Sequence, residues 1–193
     1  MAKRKYEFKP DRERGSLLDK LLLTRRQRLI LLRWLLVAAV MVVLSLLQDV
    51  ILCHVDIFGA TTDLIPCAIF LICMMLGVET GSVFALISSC LFQFSGSGPG
   101  YYIIAVITIL CICAVMFRQS FLRKGFWSCV TCAAVCHMVY ELITYFVALV
   151  LGQTTLLRIG VPVVTGILSL ILLPVLYPTI RAIEKIGGEA WKD

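Results

Sequence analysis

The chain has 193 residues, of which 60% are hydrophobic and 16% are charged. A soluble domain has about a quarter of its residues charged, so this apolar excess excludes a soluble fold and predicts one integral membrane domain. The net charge of +6 does not indicate nucleic acid binding, because the basic residues are concentrated beside a membrane segment and no aromatic stacking platform accompanies them.

A basic arm precedes the first apolar run. Eleven of the 18 Lys and Arg residues lie between Lys3 and Arg33, and basic residues beside a membrane segment favour anionic lipid headgroups. We predict a cytoplasmic arm over residues 1–30. Leucines at helical spacing over 16–28 predict either an amphipathic helix in the headgroup layer or a solvated extension of the first spanning helix. The predicted lipid-facing basic residues are Arg25, Arg26, Arg28 and Arg33.

Six closely spaced apolar segments follow the arm. A spanning helix needs about 20 apolar residues, and the predicted spans cover 31–53, 64–78, 81–95, 101–117, 126–151 and 161–178. The second and third spans are short, but merging them into one span would place the basic loop at Arg118 outside the cell. Because Lys and Arg of short loops stay in the cytoplasm, we predict six crossings that leave Arg158 as the one basic residue outside.

The resulting fold class is an all-α integral membrane protein with six transmembrane helices and cytoplasmic N and C termini. The six spans form a membrane domain over residues 31–180, and residues 181–193 form a short cytoplasmic tail.

Glycines mark two of the predicted turns. Gly77 and Gly81 flank a tight turn at Glu79, and we predict that they permit a sharp hairpin rather than a helix interface. A second turn, whose glycines cannot continue a helix, contains Gly96, Gly98 and Gly100.

Two polar side chains stand four residues apart near the middle of the fifth predicted span. His137 and Glu141 share one helix face, and polar groups at this depth are energetically expensive. They form either a proton-handling or ligand-contacting pair, or a hydrogen-bonded pair that holds helices together. We favour the second interpretation, because the sequence predicts no second acid at that depth.

Asp49 and Asp63 are predicted to lie near the outer membrane surface. Asp49 lies near the end of the first span, and Asp63 precedes the second span, where it suits a helix N-cap. An acidic rim suits a cation or a basic partner segment, but we favour simple solvation at the interface.

The nine cysteines lie within or beside apolar runs and are predicted to be core residues. Cys129, Cys132, Cys136 and His137 have a metal-like spacing, but ligands on one straight helix cannot surround an ion. The sequence contains no phosphate loop, no nucleophile with a base and no paired catalytic carboxylates. We therefore predict no catalytic site, no cofactor and no metal.

Several placements of proline, glycine and tyrosine are shared with a known family. They are the proline-containing start TTDLIP at 61–66, the glycine-spaced turn from Gly77 to Gly81, and the glycine turn at 96–100 that precedes Tyr101 and Tyr102. With six closely spaced helices, this layout resembles the bacterial rod shape-determining protein MreD family over roughly residues 34–182.

The resemblance implies a non-enzymatic scaffold subunit in the bacterial cytoplasmic membrane. The implied partners in lateral cell-wall synthesis are an MreC-like bitopic protein, the actin-like MreB, a RodA-type glycosyltransferase and a penicillin-binding transpeptidase.

The MreD family is also similar in fold to the substrate-binding S components of energy-coupling-factor vitamin transporters, which is our alternative function. That alternative predicts small residues at four-residue spacing on the first helix, whereas Ala38 and Ala39 are adjacent here. It also predicts an outer pocket, to which the candidate contributors are Asp49, Asp63, Tyr101, His137 and Glu141.

Overall fold

Six α-helices account for most of the chain. The computed structural model describes residues 25–54, 59–96, 100–121 and 125–186. The helices are α1 (Arg25–Val50), α2 (Leu64–Leu76), α3 (Val78–Phe94), α4 (Tyr102–Phe121), α5 (Phe126–Val150) and α6 (Gly160–Ile186). Short 3₁₀ turns lie at Leu52–His54 and Leu156–Arg158. The predicted all-α fold is confirmed for the described part of the chain.

Four of these helices, α1, α4, α5 and α6, are long and apolar enough to cross a membrane. Large apolar side chains project from them into the surroundings, among them Phe121, Val150 and Ile171. Exposed apolar surface on this scale requires lipid. The chain is therefore a multi-pass membrane protein, while the six crossings and the side on which the termini lie stay predictions.

Helix α2 is the centre of the bundle. All 13 of its residues are buried, and it packs against each of the other five helices. A helix that is apolar on every face needs such complete surroundings. At 1.5 Å per residue it is about 20 Å long, which is shorter than the roughly 30 Å hydrocarbon layer. We therefore infer that at least one of its ends lies inside the membrane.

Helices α1 and α6 continue well beyond their predicted limits. α1 begins at Arg25 rather than at residue 31, so over residues 25–30 the arm is an extension of the first helix. The rest of the predicted amphipathic segment lies outside the described residues. α6 continues to Ile186 rather than ending at 178, so the predicted tail begins as helix. Arg and Lys are good helix formers, so a helix does not have to end where the apolar run ends.

The hairpin between α2 and α3 turns at one residue. Gly77 has a φ of 90°, in the left-handed region that favours glycine. Glu79, which we predicted to form the turn, lies in the first turn of α3. Gly81 is not a turn residue either, since a Cβ atom there would lie 3.0 Å from the carbonyl oxygen of Cys73. It allows α3 to approach α2 closely.

The second predicted glycine turn lies between α3 and α4. Gly96 follows α3 with a φ of 79°, and Gly100 lies just before α4. Gly98 lies outside the described residues.

Candidate functional site

The first turn of α2 begins inside the bundle, so its backbone N–H groups need acceptors from the protein. Gln48 of α1 supplies one: its Oε1 accepts hydrogen bonds from the N–H groups of Leu64 at 3.0 Å and Ile65 at 2.9 Å. The next residue, Pro66, has no N–H to satisfy. One buried amide side chain and one proline therefore complete the start of this helix.

Helix α6 holds the same turn from another side. The backbone N–H of Asp63 donates to Ser169 Oγ at 3.0 Å, and the Ser169 hydroxyl donates to the carbonyl oxygen of Thr165. The thiol of Cys67 points to the carbonyl oxygen of Ser169. Asp63 occupies the predicted N-cap position, but its side chain makes no capping hydrogen bond.

The Asp63 carboxyl group instead lies within hydrogen-bonding distance of the Glu141 carboxyl group. Glu141 is 7% exposed, and Asp63 is half-buried. We predicted that Asp63 is solvated at an outer rim; the structure places it half-buried beside Glu141, because α2 starts within the bundle. Glu141 also has a second acid beside it, which removes the reason for which we favoured a purely structural role.

His137 lies one helical turn before Glu141 and is fully buried. Its Nε2 atom is 3.7 Å from Glu141 Oε1, which is longer than a hydrogen bond. Within the described ranges, neither ring nitrogen of His137 has a hydrogen-bond partner, and Glu141 Oε1 has none. The two residues are neighbours, but they do not form the hydrogen-bonded pair that we expected.

Close packing of α6 encloses this group. A Cβ atom at Gly166 would lie against Met138 Sδ and 3.9 Å from Glu141 Cγ, so α6 lies close to α5 here. We define the acidic cluster as Asp63, His137 and Glu141, and it lies where α2, α5 and α6 meet.

The other two residues of the predicted outer pocket are exposed. Asp49 is exposed near the end of α1, and Tyr101 is 79% exposed. The structure thus brings together three of the five residues that the transporter alternative predicts: Asp63, His137 and Glu141.

At the opposite end of α2, a side chain also supplies a hydrogen-bond partner for the backbone. Arg118, which we predicted as a loop residue, lies within α4 and donates from Nη1 to the carbonyl oxygen of Met74. Arg28 is exposed on α1 and Arg33 is half-buried. Nothing is described of the side chains of Arg25 and Arg26.

An apolar groove runs between α1 and α3. α1 packs against α2 and α6, which leaves a cavity of about 360 Å³ beside α3. The rings of Trp34 and Phe84 meet at 6.2 Å at one end. The groove residues are Trp34, Val37, Ala38, Met41, Val42, Ser45, Ile65, Phe84, Ile87, Ser88, Leu91, Phe92 and Ser95.

The sequence analysis missed Gln48 as a cap, Arg118 as a cap and the groove. The length of α2 was the available signal, since a 13-residue helix in a bilayer requires partners for its ends. The groove has no such signal in the sequence, because it depends on how α1 packs against α6.

Metal ligation finds no support in the described segments, where no three His, Cys, Asp or Glu side chains are grouped to hold an ion. The cysteines described, including Cys129, Cys132 and Cys136, are free thiols. No family model, curated protein or solved structure matches this chain.

Proposed function

We propose that this chain is a non-enzymatic scaffold subunit of the bacterial cell-shape machinery, and that the groove between α1 and α3 holds a transmembrane helix of a partner protein. The supporting observation is the groove itself, an apolar cavity of about 360 Å³ on the surface that faces lipid. The protein would act in the cytoplasmic membrane, together with the machinery for lateral peptidoglycan synthesis.

The groove walls suit a helix better than a lipid chain. Ala38 and Ser45 line the α1 side, seven residues and about two turns apart, and Ser88 lines the α3 side. Small residues let two helix backbones approach, and hydroxyl groups form hydrogen bonds between helices in lipid. An acyl chain uses neither property.

The partner that this groove fits is a protein with a single membrane helix, as in an MreC-like bitopic protein. The resemblance to the MreD family adds MreB, a RodA-type glycosyltransferase and a penicillin-binding transpeptidase to the same assembly. The basic residues Arg28 and Arg33, near the cytoplasmic start of α1, support contact with anionic lipid headgroups.

Photo-crosslinking in living cells tests the docking. A photoreactive amino acid is placed at Leu91, which is 64% exposed in the groove, or at Val135, which is 62% exposed on α5. We expect a crosslink to a bitopic shape protein from Leu91 and none from Val135. Equal crosslinking from the two positions, or lipid adducts alone from Leu91, would contradict the proposal.

Filling the groove tests the function. Ala38→Trp places a large ring in the groove, and Val135→Trp is the matched change on a lipid-facing surface. We expect Ala38→Trp to lower partner binding about tenfold, equivalent to about 1.4 kcal/mol, and to turn rod-shaped cells into spheres. Val135→Trp is expected to leave rods unchanged.

The vitamin-transporter S component is the second candidate, and the acidic cluster is the observation that favours it. Three predicted pocket residues converge there, with unpartnered polar atoms on His137 and Glu141. If depletion of the protein leaves rods as rods while uptake of a vitamin is lost, the transporter replaces the scaffold.

A further inference from the structure

The acidic cluster contains two carboxyl groups in contact. Asp63 and Glu141 lie within hydrogen-bonding distance of each other. An ionised carboxylate only accepts hydrogen bonds, so a bond between these two groups requires a proton on one of them. Without it, two negative charges would face each other in a medium of low dielectric constant, where their repulsion is strong.

These two charges have no basic counterpart among the described side chains. Across the residues that the structure describes, no Lys or Arg has a charge interaction with Asp63 or Glu141. The titratable groups that face the pair are Cys67 of α2 and His137 and Tyr140 of α5. α6 contributes the hydroxyl-bearing Ser169 beside Asp63, and α1 contributes the amide of Gln48 at the same helix turn. Neither of these carries a charge.

His137 provides an independent observation. It is 0% exposed, its Nε2 atom lies 3.7 Å from Glu141 Oε1, and its ring nitrogens have no hydrogen-bond partner in the described part of the chain. A buried imidazole normally has at least one partner. An unpartnered one beside a carboxyl pair has a ring nitrogen lone pair that is free to accept a proton.

We propose that Asp63 and Glu141 form a buried proton-binding site at the start of α2, with His137 as the adjacent proton acceptor. The site takes one proton from water and holds it between the two carboxyl oxygens. Protons arrive through Asp63, since Asp63 is half-buried and Glu141 is buried. When the proton is bound, the first turn of α2 stays against α5. When it is released, the two carboxylates repel each other and push this turn away from α5.

Infrared spectroscopy of the purified full-length protein in lipid nanodiscs tests the site directly, because a protonated carboxyl group has its own carbonyl band. We expect such a band at neutral pH, its loss in Glu141→Gln, and a frequency change in Asp63→Asn, because the hydrogen-bond acceptor changes. Glu79→Gln, at an exposed position in α3, is the matched control and is expected to leave the band unchanged.

Three outcomes would overturn the proposal. A band that both variants leave unaltered, or no band at all, means that the pair holds no proton. A band that Glu141→Gln removes but Asp63→Asn does not move means that Glu141 alone is protonated.

Titration of the wild-type protein keeps the proposal testable if Glu141→Gln does not fold. The band is then expected to disappear as pH rises while the helical circular dichroism persists; a band that vanishes only on unfolding contradicts the site. His137→Leu is expected to move the pH of that transition. An unmoved transition removes His137 from the site. None of these readouts depends on what occupies the groove between α1 and α3.

Discussion

The carboxyl group of Asp63, at the start of α2, lies within hydrogen-bonding distance of the carboxyl group of Glu141, near the middle of α5. This contact shows how deep in the bundle α2 begins. A helix of 13 residues spans only part of the bilayer thickness, so α2 can begin inside the bundle. The first turn of α2 therefore depends on side chains from α1, α5 and α6.

The first prediction concerns the cap on α2. Gln48→Leu keeps a side chain of similar size but leaves the N–H groups of Leu64 and Ile65 without their acceptor. A buried unsatisfied donor costs about 1–3 kcal/mol, so we expect the free energy of unfolding to fall by about 2 kcal/mol or more. Reversible unfolding by dodecyl sulfate in mixed micelles measures it.

Gln153→Leu is the control for this change, because Gln153 is exposed in the loop after α5. It is expected to leave the unfolding transition unchanged. If both variants unfold at the same detergent fraction as the wild type, the amide of Gln48 does not support α2.

The second prediction concerns the contact between α2 and α3. Gly81→Ala adds a Cβ atom 3.0 Å from the carbonyl oxygen of Cys73, and backbone at that distance cannot move aside without shifting a helix. Overpacking of this kind costs about 1–3 kcal/mol. The same unfolding measurement is expected to show that loss.

Gly160→Ala is its matched control, since a Cβ atom there meets no other atom within 4 Å. Equal stability of the two alanine variants would mean that α3 does not approach α2 at Gly81.

The third prediction concerns the contact between α2 and α4. The thiols of Cys73 and Cys111 are within hydrogen-bonding distance, and both are buried. In a chain whose other cysteines are replaced, a membrane-permeant oxidant is expected to join Cys73 to Cys111, as detected by mass spectrometry of the digested protein.

The comparison pair for this crosslink is Cys73 with Cys113, whose side chain is exposed on α4. It is expected to give no disulfide. Equally fast crosslinking of both pairs would show that α4 does not present Cys111 to α2.

Much of the fold could be predicted because an apolar run of about 20 residues is long enough to cross a bilayer as an α-helix. The four long helices follow directly from this rule. Their limits were less predictable where charged residues continue a helix beyond the lipid, as at Arg25 in α1 and after residue 178 in α6.

The site was predicted in part. The spacing of His137 and Glu141 places them on one face of α5, and their depth marks them as unusual. The contact with Asp63 could not be obtained from spacing, since it joins the start of one helix to the middle of another. Gln48 was similarly hidden, because a glutamine near a helix end looks like an interfacial residue until the helix that it caps is in place.

The predicted six crossings, with basic loops inside, are the basis of the whole account, and cysteine labelling from the cell exterior measures them most directly. In a chain without native cysteines, a membrane-impermeant maleimide is applied to whole cells that carry either Arg123→Cys, between α4 and α5, or Gln153→Cys, between α5 and α6. We predict that Gln153→Cys is labelled at once and that Arg123→Cys is labelled only after the membrane is permeabilised. Labelling of Arg123→Cys in intact cells would contradict the account.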